Sequence, residues 1–249
     1  MGAVSEQTPV GPIEPTVELE GYHDLPVLDP SKPTLVSSWG RKGAGKSTFN
    51  RRLFASYPFD KLTIDVNGDA DPGPSEPLHL PLPAKYPPEP MRAPGMPRAP
   101  HRSLYWRADP GSPTYYDDLD RAVGMALFPQ DHPTMVWCGE VGEFMPSAQK
   151  TGPNMRRLLQ QNRHYLASAL FDGPRPVHVN PLVLAQSDII AIYHLPNPDD
   201  RERVAKTMGY PAARFHEECE KTWARGSYWF LLWVAHEHAL YRCPPLPED

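Results

Sequence analysis

Residues 34–56, TLVSSWGRKGAGKSTFNRRLFAS, constrain the fold more than any other stretch of the chain. A short run of strand formers, TLVSSW, leads directly into a bare loop with glycines at 40, 43 and 45. Behind the loop, Phe49, Leu53 and Phe54 recur at helical spacing, while Arg51 and Arg52 face away from them. Gly40, Gly45, Lys46 and Ser47 satisfy the pattern G-x-x-x-x-G-K-[ST], in the strand–loop–helix setting that this pattern requires. Glycines let main-chain N–H groups converge on a phosphate, and a helix starting near Lys46 points its positive end at the same place. The loop therefore predicts a triphosphate site for ATP with Mg2+, built from Gly40, Gly43, Ala44, Gly45, Lys46, Ser47 and Thr48. Lys46 is expected at the β- and γ-phosphate oxygens, Ser47 on Mg2+ and Thr48 on the α-phosphate.

The rest of the chain follows an alternating pattern. KLTIDVNGD reads as a second strand, and TYYDDLDRAVGMALF as a helix after the strand SLYWRA. TMVWC is a buried strand, and PNMRRLLQQNRHYLA a helix with Pro153 at its first position. Strands SALFD and DIIAIYHL follow. NPDDRERVAKTMG is a helix with Asn197 as N-cap and Gly209 past its end, and YWFLLWVA and HALYRC close the chain as a strand pair. Strands alternating with helices give an α/β class with a mainly parallel sheet flanked by helices. The 33 prolines concentrate in places that interrupt this order. Residues 1–33 read as an extended N-terminal arm, residues 34–243 as one domain, residues 70–102 as a proline-rich insertion within it, and 244–249 as a tail. So dense a run of proline excludes a helix or an interior strand from the insertion.

Cleavage of a triphosphate needs an acid beside the loop. PTMVWCGEVGEF supplies Glu140 directly after an apolar strand, and Glu143 one turn later. Glu140 is the candidate general base that polarises the attacking water. Gly139 stands where an aspartate usually precedes that glutamate, so Mg2+ would rely on Ser47, water and Asp65 or Glu140.

The order of GRKGAGKST, TIDVNGD, VWCGEVGEF, NRHYLASALFDGPRP and NPLVLAQSDIIAIYHLPNPDD resembles the HerA/FtsK superfamily of DNA-translocating ATPases, over about residues 34–203. The likeness is to the small phage and mobile-element members that serve genome packaging or DNA transfer. The resemblance implies a RecA-like P-loop NTPase core and a homo-oligomeric, hexameric ring with double-stranded DNA threaded through it. It also implies an arginine lent by one subunit to its neighbour's γ-phosphate. Arg163 matches that arginine best, with Arg156 and Arg175 as alternatives. At the end of the strand before RP, Pro174 takes the place of the family's polar γ-phosphate sensor. A capsid or portal protein is a further partner of that setting, and the host cytoplasm or the virion the implied location. Two other readings stay open: an ATP-binding subunit with little hydrolysis, motivated by Gly139 and Pro174, and a nucleotide kinase, for which the proline tract makes a poor lid.

The net charge of −5 argues against a chain that simply coats nucleic acid. A basic pore would have to come from local arginines, in the Arg92–Arg107 region and at Arg156 and Arg157. Cys138, Cys219 and Cys243 are irregularly spaced and read as reduced thiols. No basic-then-apolar leader is visible at the N-terminus, and no apolar run reaches the roughly 20 residues of a membrane span. HEECE (216–220) and HEH (236–238) lack the spacing of a known metal site and read as polar faces. Trp223, Trp229 and Trp233 are expected in the core rather than on a stacking platform.

Overall fold

A computed structural model describes residues 17–18, 28–85, 101–128, 133–145 and 151–247. The strands are β1 (Val17–Glu18), β2 (Leu35–Trp39), β3 (Asp60–Asp65), β4 (Glu76–Pro77), β5 (Ser103–Arg107), β6 (Thr134–Cys138), β7 (Ala167–Gly173), β8 (Ile189–Ile192), β9 (Phe230–Val234) and β10 (Ala239–Cys243). The helices are α1 (Lys46–Ser56), α2 (Tyr115–Leu127), α3 (Val141–Phe144), α4 (Pro153–Gln161), α5 (Pro181–Gln186), α6 (Pro198–Met208) and α7 (Ala212–Trp223). All strands join one sheet in the order β1-β10-β9-β8-β2-β7-β6-β3-β5-β4. From β8 to β4 every neighbouring pair is parallel, and β9 alone runs against its two neighbours. This is the fold of P-loop NTPases, with β7 inserted between the loop-bearing strand β2 and the acid-bearing strand β6.

Both faces of the sheet are covered, which is why β6 and β8 read as continuous apolar runs rather than alternating ones. One face packs on α1, through Phe49, Leu53 and Phe54 against Val36, Trp137 and Leu170. The other carries α2 and α4–α7, with Leu119, Val123, Met155, Leu158, Val204 and Phe215 in its core. The ends of α6 are as the sequence demands: Asn197 Oδ1 accepts the N–H of Asp199 at 2.9 Å, and Gly209 adopts φ 67°.

Two expectations change. The helix from Pro153 stops at Gln161, so Arg163 lies in the following turns rather than on its face. Asn162 ends it by donating its side-chain N–H to the carbonyl of Pro33, and Leu166 enters the left-handed region at φ 49°. HEH is the connection between β9 and β10, not part of a strand. A short helix, α5, precedes β8, and HEECE lies on α7, in line with the helical spacing of His216 and Glu220. Of the proline-rich insertion, residues 86–100 lie outside the described residues, as do Arg92 and Arg98; Glu76–Pro77 pairs with β5 at the sheet edge, where proline is tolerated. Most of the N-terminal arm is likewise outside them, but Val17–Glu18 pairs with β10. Among the described residues no helix is long and apolar enough to cross a membrane.

Candidate nucleotide-binding site

The loop after β2 owes its shape to its glycines. Gly40, Gly43 and Gly45 have φ of 153°, 76° and 105°, a region that side chains with a Cβ rarely enter. A Cβ on Gly40 would lie 2.6 Å from the Cβ of Tyr193. The loop therefore wraps tightly over Tyr193, whose buried ring stacks on Phe230 at 4.8 Å. Lys46 opens α1 and donates to the carbonyls of Gly40 (2.6 Å) and Arg41 (3.3 Å). Burial lowers the pKa of its ammonium, and the charges of Asp172, Glu140 and Asp69 oppose that shift. Ser47 is exposed and Thr48 half-buried, and both line the cleft that runs over the loop.

Glu140 follows β6 in the left-handed conformation, φ 54°, where a non-glycine residue is uncommon. Its carboxyl is pushed up mainly by burial and then by the negative charge of Asp172, while Lys46 pulls it down. Glu140 and Lys46 thus share one end of the sheet and feel each other's charge. Glu143 is exposed on α3 and lies beside the Tyr115 hydroxyl, whose pKa is raised to about 12, chiefly by burial and then by the Glu143 charge.

The half-buried Asp172 of β7 is the residue that sequence reasoning missed. It accepts hydrogen bonds from Trp137 Nε1 (2.7 Å), Asn50 Nδ2 (2.9 Å) and the main-chain N–H of Glu140 (3.1 Å). Burial raises its pKa against the lowering effect of these donors. The signal was present, since an aspartate closing the apolar run SALF is costly unless something holds it. β7 runs to Gly173, so Pro174 lies beyond the ladder and Asp172, two residues earlier, is the last polar side chain facing α1. Asp69, exposed after β3, was missed as well; it reaches Lys46, Glu140 and Asp172 electrostatically. Asp65 is committed elsewhere, accepting from the Tyr105 hydroxyl at 2.7 Å and the Gly68 N–H at 2.8 Å.

The arginines separate by location. Arg163 lies 3.7 Å from Asp188, whose other oxygen accepts the N–H of Leu35 at the start of β2. It is 79% exposed and sits at the N-terminal ends of β2 and β8, whereas its own Lys46 follows the C-terminal end of β2. Arg175 is bound to the buried Asp200 at 3.0 Å. Arg156 and Arg157 are exposed on α4, and Arg102 pairs with Glu76 at 2.6 Å. Trp233 is buried, Trp223 and Trp229 half-buried. Among the described residues no cluster of three metal-ligating side chains occurs.

No protein-family model matches the chain, and no curated protein does. Solved structures do. The genome packaging NTPase B204 from Sulfolobus turreted icosahedral virus 2, in complex with AMP, superposes with a TM-score of 0.64 at 18% identity, over 88% of this chain and 100% of that one. The same protein in complex with ATP-gammaS gives 0.64 at 16% identity, with the same coverage of both chains. B204, the DNA-packaging ATPase from Sulfolobus turreted icosahedral virus, gives 0.59 at 16% identity, over 86% and 99%. At these identities the likeness is one of fold.

Proposed function

We propose that this chain is an ATP-hydrolysing motor that moves double-stranded DNA, in genome packaging or DNA transfer, working as a ring of its own copies. The observation that carries the reading is the meeting of Lys46, Glu140 and Asp172 at one end of the sheet beside the glycine loop. The likeness to B204 along nearly the whole of both chains supports the motor class, since those proteins package viral genomes. A hexamer, a capsid or portal partner, and residence in the host cytoplasm or the virion belong to the same proposal.

The reaction divides among named groups. The loop amides and the start of α1 hold the phosphates, and Lys46 balances charge on the β- and γ-oxygens. Glu140 takes the proton from water as its oxygen bonds to the γ-phosphorus and the bond to the bridging oxygen breaks, releasing ADP and phosphate. Asp172 fixes the main chain at Glu140, so the base is presented from a held position. An all-oxygen set of Ser47, Glu140 and Asp69 suits a hard cation, so the residues fit Mg2+; when bound with ATP it neutralises phosphate charge. Arg163, exposed at the opposite end of the strands, suits a neighbour's γ-phosphate rather than its own. Arg156, Arg157 and the Arg92–Arg107 region are proposed to face DNA.

The testing experiment is the ATP hydrolysis rate of the purified protein with and without duplex DNA, with Lys46→Ala as control, alongside its mass in solution. DNA-stimulated turnover that disappears in the control is expected; turnover indifferent to any DNA contradicts the motor. A second reading, an ATP-holding subunit with little hydrolysis, is favoured by Gly139 at the position next to Glu140. Tight ATP binding with turnover near the water background would select it.

A further inference from the structure

The phosphate chemistry leaves the other end of the nucleotide unassigned, and the strand order says where it must go. β2 lies between β7 and β8. The carboxylates of Asp172 and Glu140 stand on the β7 side, where the terminal phosphate reacts. Thr48, the α-phosphate position, lines a cleft whose far wall comes from the β8–β9 side: Tyr193, Tyr228 and Leu246. Sugar and base, leaving the α-phosphate away from the acids, enter that part of the cleft.

Tyr228 is an unusual residue to find there. It is a large aromatic side chain 53% exposed to solvent, and its backbone sits in the left-handed region at φ 68°. Neither favours folding, and strain of this kind persists where surrounding structure holds it for use. Its ring leans over the loop, within 3.3 Å of where a Cβ on Gly45 would lie. Opposite, the tail CPPLP carries Leu246 to the cleft. Three prolines stiffen that tail, and Arg52 on α1 anchors it by donating to the carbonyl of Pro247 at 2.7 Å.

We propose that Tyr228 and Leu246 form the slot for the nucleobase, with the Tyr228 ring stacking on its face and Leu246 closing its edge. This rests on the nucleotide reading proposed above. Stacking grows with overlapped ring area, so the slot ranks purine above pyrimidine nucleotides.

The experiment is a calorimetric titration of wild type, Tyr228→Phe, Tyr228→Ala and Tyr228→Asn with ATP, CTP and inorganic tripolyphosphate. Asparagine tolerates the left-handed backbone and guards against a variant that merely misfolds. ATP is expected to bind wild type more tightly than CTP does. Loss of the ring should weaken ATP about tenfold or more and CTP by less, leave tripolyphosphate unchanged, and spare the phenylalanine variant. ATP affinity within twofold of wild type in the alanine and asparagine variants overturns the slot. So does an equal loss for ATP and tripolyphosphate, or a wild type that prefers CTP. A wild type that binds tripolyphosphate as tightly as ATP overturns the slot but keeps the phosphate loop, whereas one that binds neither removes both readings.

Discussion

The carboxylate of Asp172 accepts the main-chain N–H of Glu140 at 3.1 Å, tying the strand beside the glycine loop to the residue that would activate water. Its second oxygen gathers the N–H groups of Asn50 and Trp137. Replacing Asp172 by asparagine preserves volume but leaves one acceptor oxygen for three donors; with that oxygen on Asn50 and Trp137, the new NH2 group faces the main-chain N–H of Glu140. We expect kcat to fall by about 10- to 100-fold through misplacement of Glu140. Nucleotide binding should persist, because the loop and α1 are untouched. A fall in kcat with ATP affinity retained checks this; loss of binding in step with turnover would assign Asp172 to the loop itself.

The same pair sets a pH dependence. Glu140 must be ionised to act as a base, and burial together with the Asp172 charge raises its pKa above the ordinary 4.5. Activity should therefore fall with decreasing pH at a higher value than an unperturbed glutamate would give. Asp172→Asn removes one of the raising charges, so in that variant the acid limb of kcat/KM should move to lower pH. A limb that stays in place, or moves up, contradicts the coupling. Lys46 acts with the opposite sign, since its charge favours ionised Glu140.

The loop glycines should differ in what they protect. A Cβ on Gly40 meets Tyr193 Cβ at 2.6 Å and its main chain at 3.3 Å, in a residue buried beneath the loop. Gly40→Ala is expected to cost about 1–3 kcal/mol through forced repacking, lowering Tm by roughly 2–12 °C at this chain length. Gly43 has nothing within 4 Å of its would-be Cβ, and only its φ of 76° resists substitution. Gly43→Ala should unfold nearer to wild type yet bind ATP less well, because its amide must stay turned toward phosphate. Thermal unfolding and ATP titration of both variants separate the two roles.

Much of this architecture was legible because local and global preferences agree. The loop pattern, the Asn197 and Gly209 ends of α6 and the continuous apolar runs each specify their own structure. The helix from Pro153 was overextended because the pattern Met155, Leu158, Leu159 continues into Asn162 and Leu166, whereas Asn162 hydrogen-bonds to Pro33, 129 residues earlier. Asp172 escaped for a related reason. Its meaning depends on β7 lying between β2 and β6, and strand order is a property of the folded sheet rather than of any segment. Tyr228 and Leu246 converge on the loop only after the last strands and the tail have packed against α1.

Arg163 decides whether the site is complete in one copy. It lies at the N-terminal edge of the sheet beside Asp188, while Lys46 and Glu140 occupy the other end. If a neighbour uses it, Arg163→Ala should lower ATP turnover by at least about 10³-fold, the scale of a lost transition-state arginine, with ATP affinity little changed. Lys46→Ala alone should be equally inactive. Mixed together, the two variants ought to regain turnover, because a junction between them can join an intact loop from one copy to an intact arginine from the other. Recovery rising and falling with the mixing ratio is expected. No recovery at any ratio, from variants that still associate as wild type does, would place the completing charge elsewhere. Arg156, exposed on α4, is then the residue to change in its stead, since Arg175 is held by Asp200.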